Sequence, residues 1–462
     1  MLFSSIPFAY YFLPAVLILY FAVPFRFKNA VLLAFSLFFY GWGEPLYLLL
    51  MAVSILLGYV LGLLIGKYRG TPRAKLFLAL SILTSLGLLG WFKYADFAVE
   101  NLNALGLQLT LPRVALPIGI SFYTFQILSY TIDVYRGDTE VQYSPIDFGA
   151  YVSMFPQLIA GPIVRYADVA RQLKDRRHTL EKASLGVRRF IVGLAKKVLI
   201  ANQLGQLTEI FRQSNSPSVL FVWMYAVAFA LQIYFDFSGY SDMAIGLGKI
   251  FGFDLLENFD YPFVSRSISE FWRRWHMSLG GWFRDYLYIP LGGNRVKPLR
   301  YVFNVLVVWA LTGLWHGAAW NFVLWGLMFA VLLTAEKFLF GKAMKRLPGW
   351  LVRIPVLVVL LFSFVIFNAA DLTQMGADLR GMLGLGGLPF VTTETLYYLR
   401  SYGLVLLVSI VGATPLPKKV AEKLEHTPVF ALVEPVVLCA LLLAVTAFLV
   451  DGSFNPFLYF RF

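Results

Sequence analysis

Two histidines, His276 and His316, are the residues of this chain best suited to proton chemistry, and they lie 40 residues apart. His316 sits inside an apolar run, between Trp309-Ala310-Leu311 and Ala318-Ala319-Trp320. An ionisable side chain at membrane depth is costly, so it marks a functional site and calls for a named partner. His276, in FWRRWH (271–276), is the candidate partner, and Arg266, Arg273, Arg274 and Arg284 flank it. A neutral imidazole has an unperturbed pKa near roughly 6.5, so in a low-dielectric chamber it is a competent general base at neutral pH. The chain offers no conspicuous Ser/His/Asp arrangement, no HExxH, no CxxC and no P-loop. The chemistry assigned to the pair is therefore acyl transfer by direct deprotonation of an acceptor hydroxyl. Against this stands the plainer reading of a lone histidine in an apolar helix, which is a structural one.

Other polar groups fall near predicted spans. Asp236 and Asp242 lie in YFDFSGYSDMAIG (234–246), where pairing with an arginine, or hydrogen bonding to the backbone of a broken helix, is preferred to a role in donor binding. His178 (DRRHTLEK) and His426 (EKLEHTP) belong to basic loops and are expected to be solvated. No metal site is expected, because no ligand cluster has the needed spacing.

The elements that hold these residues are legible in the composition. The 462-residue chain is 59% hydrophobic and 14% charged, with a mean hydropathy of +0.70, whereas soluble domains are nearer roughly 25% charged. It reads as an all-α polytopic membrane protein with about 10–12 tracts of the roughly 20 apolar residues a spanning helix needs. The net charge of +13 comes from basic residues clustered in loops between apolar tracts, as the positive-inside rule predicts. Nucleic-acid binding is therefore not expected. The single cysteine, Cys439, lies in VVLCALLLAV as a small core or lipid-facing residue. The first 23 residues lack a basic n-region and a cleavage site, so they read as a first helix rather than a signal peptide.

In chain order, spans are expected at 7–24, 30–42, 45–66, 76–92 and 114–134, the last broken at Pro117 and Gly119. Residues 147–162 (DFGAYVSMFPQLIAGP) are apolar but short and interrupted by Pro156, Gly161 and Pro162. They read as a re-entrant or tilted element walling a central chamber, since irregular backbone at this depth must be buried or line a cavity. From Arg165 to Lys197 there are ten Lys/Arg against three acids, which marks a cytoplasmic surface. Spans near 190–211 and 218–248 come next, then the central block 265–325, in which His276 falls near the cytoplasmic face and His316 deeper. Basic residues recur at Lys337, Lys342, Lys345 and Arg346, and again at Lys418, Lys419 and Lys423. Spans near 350–370, 396–413 and 428–449 complete the chain, with the tail 451–462 on the outer face. The whole of 1–462 reads as one integral-membrane domain: N-terminal helices 7–92, a catalytic core of about 114–340 and C-terminal helices 350–462. No internal repeat is evident, so inverted-repeat transporter architecture is not indicated.

The blocks FWRRWHMSLGGWFRDYLYIPLGGNR and LTGLWHGAAWNFVLWG, with MFPQLIAGPIVRY and YFDFSGYSDMAIGLG upstream and NPFLYFRF at the end, resemble the membrane-bound O-acyltransferase (MBOAT) family. The resemblance runs over about 7–462 and is to the bacterial branch with the alginate and peptidoglycan O-acetyltransferases. The order and spacing of these motifs, rather than any one of them, make it specific. It implies a helical MBOAT-like fold with re-entrant or short helices around a central catalytic chamber. It also implies an acetyltransferase of the bacterial inner (cytoplasmic) membrane, with a cytoplasmic funnel for an acetyl donor, acetyl-CoA, and a path toward an extracytoplasmic polysaccharide. The family's near-invariant histidine matches His316, and its second active-site polar residue matches His276, where many relatives outside this branch carry Asn or Asp. On this reading Arg273, Arg274, Arg284 and Arg165 are candidates for donor phosphate contacts, beside the alternative that they set topology. His276 could orient or polarise the thioester. Trp275, Trp315 and Trp320 could wall the chamber and exclude water, although most aromatic rings of such a chain pack or form an interfacial belt. The branch further implies a separate extracytoplasmic esterase-like transferase as partner, whose serine can be the immediate acceptor. Two rival readings are a transporter or flippase of a polar lipid-linked solute, and an acyltransferase for lipid or protein or one using a D-alanyl carrier protein.

Overall fold

The computed structural model describes the chain except Ala160, Lys345, Ser453, Phe457 and 459–462. One expected basic-loop lysine, Lys345, and most of the closing NPFLYFRF motif thus lie outside the described residues. Among the described residues the fold is helical throughout, without strands.

Among the described residues eight helices are long and apolar enough to cross a membrane: Pro45–Lys67, Pro72–Ala104, Val219–Ile250, Pro298–His316, Trp320–Met344, Gly349–Asn368, Thr393–Gly412 and Pro428–Val450. The chain is an all-α polytopic membrane protein. Four of the expected apolar tracts form shorter or more polar helices instead. Pro7–Ala22 is a shorter apolar helix. The tract at 30–42 lies in Phe25–Gly43, which carries Arg26, Lys28 and Asn29 near its start. The helix expected from 114 begins at Ile120, after Gly119 at φ +76°. Residues 190–211 fall in Leu180–Ala195, a π-helical turn Lys196–Ala201, and Asn202–Gln213, whose polar residues give it a mixed face.

The chain divides into two compact units, Met1–Phe190 with Tyr240–Leu256, and Ile191–Gly239 with Glu257–Phe462. In the first unit, Pro45–Lys67 presents glycines one turn apart at Gly58, Gly62 and Gly66. A methyl at these positions would collide with Ile127, Tyr130 and Val141, respectively, so small residues let this helix approach Ile120–Arg136 closely. The element at 147–162 is a helix Pro145–Ser153, a break at Met154 and a single turn Phe155–Leu158. Some of its polar groups find partners inside the protein: Phe155 N donates to Ser36 Oγ at 3.0 Å and Gln157 Nε2 to Tyr151 O at 2.6 Å. Broken backbone in an apolar setting requires such partners. His178 is not solvated, as its basic loop had suggested. It is half-buried, with Nε2 2.9 Å from Tyr20 Oη and 3.1 Å from Phe251 O, because Tyr20 also draws in Arg176 Nε at 2.9 Å. Asp242 pairs with Arg189 at 2.9 Å, as expected of an acid there. His426 is exposed, as is Cys439.

The second unit holds both candidate histidines. Val219–Ile250, at 32 residues about 48 Å long by helical rise, contributes its length through Gly239. The sequence suggested a broken helix at 234–246, but it runs unbroken through that stretch.

Candidate active site

His316 is the last residue of Pro298–His316, and the chain turns at Gly317 into Trp320–Ala335. The two helices form a hairpin in near backbone contact. A methyl on Gly313 would stand 3.0 Å from the Phe322 carbonyl carbon, and one on Gly326 would stand 3.1 Å from that of Trp309, each closer still to the oxygen. Small residues at this seam let the helices approach closely. Three rings then surround the buried imidazole of His316: Trp315 at 5.1 Å between centroids, Trp325 at 5.3 Å and Phe367 at 5.3 Å, all nearly perpendicular to it. The Phe367 segment is itself held by Asn321, whose Nδ2 donates to Phe367 O at 3.2 Å and Ala369 O at 3.0 Å.

His276 reaches the same place from another element. The short helix Ile268–Arg274 docks on the hairpin through Trp272, whose ring meets Trp309 at 4.6 Å, Phe329 at 4.9 Å and Trp325 at 5.5 Å. Ser267 caps its N-terminus, accepting from Glu270 N at 3.0 Å. The buried Glu336 carboxylate accepts from Ile268 N at 2.7 Å and Ser269 N at 3.3 Å, where the helix end leaves N–H groups unpaired and favours negative charge. The helix stops at Trp275, and His276 turns the chain in the left-handed region, φ +47° and ψ 51°, before Met277–Phe283. A non-glycine residue there is strained, and such strain persists only where surrounding contacts impose it. Here they do: Met277 N donates to Asn258 O at 3.0 Å, Ser278 N and Oγ to Asn258 Oδ1 at 3.2 and 2.9 Å, and His276 Nδ1 lies 3.2 Å from that oxygen. Phe237 lies edge-on to the imidazole at 4.7 Å.

The 40-residue separation is thereby closed. Although the sequence put the two histidines at different depths, their ring centroids are 6.5 Å apart at 59°, and Trp315 touches both. Two hydrogen-bond reaches of about 3 Å span this gap, so one reacting group can meet both imidazoles. Burial among aromatic rings favours the neutral form of His276, because an imidazolium there would lose its hydration.

The expected arginines are spread more widely. Arg274 is paired with Asp260 at 2.7 Å and Glu270 at 3.0 Å, and Arg284 with the adjacent Asp285 at 2.7 Å. Arg273 is exposed. Arg165 belongs to the first unit, where it begins Tyr166–Lys174 and holds Asp168 at 3.0 Å. Trp275 packs into an aromatic core with Phe259 at 5.1 Å, Phe364 at 5.3 Å and Phe271 at 5.5 Å, whereas Trp320 is half exposed. Asp236 is buried against Lys197, not an arginine, at 2.6 Å. Its backbone partner is Leu458 N at 3.1 Å rather than a broken helix. Lys197, on the π-helical turn, also donates to Pro456 O. Sequence reasoning did not single out Asn258, Trp272, Trp325 or Phe367. Trp272 stands inside FWRRWH and could have been chosen with it, but Asn258 and Phe367 carry no local signal.

A family profile of the membrane-bound O-acyltransferases matches residues 136–373, which contain both histidines. The probable alginate O-acetylase AlgI of Pseudomonas aeruginosa is 44% identical over 84% of this chain and 75% of its own length. The peptidoglycan O-acetyltransferase of Helicobacter pylori is 35% identical over 84% of this chain and 80% of its own. The teichoic acid D-alanyltransferase of Bacillus subtilis is 30% identical over 54% of this chain and 67% of its own. With its helical, membrane-spanning fold and the profile match across its centre, the chain belongs to the membrane-bound O-acyltransferase family and is a multi-pass O-acyltransferase.

Proposed function

We propose that the protein is an O-acetyltransferase of the bacterial cytoplasmic membrane. It takes acetyl from acetyl-CoA on the cytoplasmic side and delivers it toward an extracytoplasmic polysaccharide, through an esterase-like partner transferase. The observation that carries this reading is the buried pair His276 and His316, 6.5 Å apart between ring centroids. The nature of the acyl group and acceptor rests on similarity, which covers 84% of the chain for the alginate and peptidoglycan enzymes against 54% for the D-alanyltransferase.

In the reaction, His316 takes the proton of an acceptor hydroxyl as its oxygen attacks the acetyl carbonyl. The carbon–sulfur bond breaks, and the proton passes to the departing thiolate, giving the ester and free coenzyme A. His276 stands across the reacting group. Trp315, Trp325 and Phe367 keep water from hydrolysing the thioester. The basic residues, with Arg273 and Arg284 exposed, attract the polyanionic donor.

The test is turnover of radiolabelled acetyl-CoA by the protein in nanodiscs, with and without a candidate partner. Loss of a general base costs about 10²–10⁴ in rate, so His316→Ala should fall by that factor with an unchanged thermal melt. Wild-type protein that neither binds nor turns over acetyl-CoA with partner present would reject the donor. A D-alanyl carrier protein would then be the donor to try.

A further inference from the structure

The hydrogen bonds around Asn258 settle a point that the pairing of the histidines leaves open. Asn258 is 1% exposed and His276 is 2% exposed. A backbone N–H can only donate, so the Asn258 atom that faces Ser278 N at 3.2 Å must be the carbonyl oxygen, Oδ1. The amide orientation is thus fixed by chemistry. An amide oxygen can only accept, so His276 Nδ1, 3.2 Å from the same atom, must be the donor. In a neutral imidazole one nitrogen donates and the other accepts, which leaves Nε2 with its lone pair. That nitrogen is buried and has no hydrogen-bond partner among the described residues. The strained backbone of His276, at φ +47°, is held by the same asparagine through Met277 N.

We propose that Asn258 is a positioning residue that fixes His276 as the Nδ1–H tautomer, so that Nε2 meets the acyl-transfer substrates as a hydrogen-bond acceptor. His276 can then receive a hydroxyl or thiol hydrogen. While neutral it cannot donate one to the thioester oxygen, so the polarising role expected from the resemblance gives way to an accepting one. The part that concerns substrates rests on the acyl-transfer reading above, whereas the tautomer does not.

The experiment is ¹⁵N NMR of the full chain in nanodiscs with labelled histidine, the His276 signals assigned as those absent in His276→Gln. A protonated Nδ1 and an unprotonated Nε2 are expected in the wild type near neutral pH. An Nε2–H tautomer, or an imidazolium, would overturn the proposal, and this readout needs no substrate. In Asn258→Leu, tautomer selection should be lost and kcat with acetyl-CoA should fall about 10–100-fold, the range typical when an outer residue that orients a histidine is removed, with KM little changed. Asn258→Asp keeps an acceptor for all three donors and should restore the protonated Nδ1. Wild-type kcat in a folded Asn258→Leu would also overturn it. A wild type silent toward acetyl-CoA would strike the donor assignment alone, and the spectrum would still decide the tautomer.

Discussion

The glycine seam of the His316 hairpin sets the position of the base, and a single methyl tests it. In Gly326→Ala the new carbon would stand 3.1 Å from the Trp309 carbonyl carbon and closer to its oxygen, both of them backbone atoms. Carbon atoms pack at roughly 3.5–4.0 Å, so the two helices must part by about 0.5–1 Å. Residue 326 adjoins Trp325, which touches His316, and the facing Gly313 is three residues before His316. The displacement therefore reaches the imidazole directly. Overpacking of this kind costs about 1–3 kcal/mol in stability, and a misplacement near 1 Å can cost about 10² in rate. Gly313→Ala presses the same seam from the other side and should behave alike. The control is Gly87→Ala in Pro72–Ala104, where an added methyl meets nothing within 4 Å. It should be neutral, or stabilising by about 0.4–1 kcal/mol through the unfolded state. Thermal unfolding in nanodiscs and acyl turnover would be measured together. If Gly326→Ala melts and turns over like Gly87→Ala, the seam does not position His316 and the reasoning fails.

Three further perturbations address parts that support the site or the fold. Asp236→Asn leaves Lys197 charged and buried, at 2% exposure, and should cost about 3–5 kcal/mol; adding Lys197→Met should recover most of it, and chemical unfolding that finds the single change neutral would show the pair to be idle. Glu336→Ala strands Ile268 N, whose bond is 2.7 Å, at a cost of about 1–3 kcal/mol, while Glu336→Gln keeps one acceptor and should cost less in the same melt. His178 lies in the connection before Leu180–Ala195, and burial, then Lys28 and Arg176, hold its pKa below the usual 6.5. The unfolded chain therefore takes up that proton first, so stability is full above about pH 6.5 and falls as the pH drops below it. His178→Gln should flatten this limb in melts between about pH 5 and 8, and a limb unchanged in that variant would refute the assignment.

Features that depend on the burial of a single element were legible in the sequence. Long apolar tracts became helices because a helix satisfies its own backbone in lipid, and His316 stood out because it interrupts such a tract. Gly119 and Pro156 marked breaks that the chain makes nearby, at Ile120 and Met154. Other features depend on tertiary partners far along the chain. Asn258 matters because the turn at His276–Ser278 brings three donors to it, and nothing in GFDLLENFDYP announces that. His178 looked solvated because its neighbours in sequence are charged, yet Tyr20, more than 150 residues earlier, buries it. Asp236 was readable as an acid in need of a cation, but which cation depended on the π-helical turn that points Lys197 inward.

The choice of an amide rather than a carboxylate behind His276 has a chemical consequence. A carboxylate against Nδ1–H would also fix the tautomer, but its charge would stabilise the imidazolium by Coulomb attraction that is strong at low dielectric. A histidine so supported would hold a proton once taken. In acyl transfer to a hydroxyl, the proton leaves the acceptor oxygen and must end on the thiolate, so a base that retains it stalls the cycle. Asn258 orients the ring at 3.2 Å without adding charge, and Phe237 and Trp315 present ring edges and faces instead of ions. The aromatic shell and the amide thus act in the same direction: both favour a neutral imidazole that can pick up a proton only while the reaction supplies the opposing charge. Asn258→Asp, though it keeps an acceptor for these three donors, should therefore move the acidic limb of the turnover profile to higher pH. The titratable ring facing His276 is His316, so the shift must survive in a background where His316 is intact and be absent in Asn258→Ser; an unmoved limb in Asn258→Asp would mean that His276 does not exchange its proton during turnover.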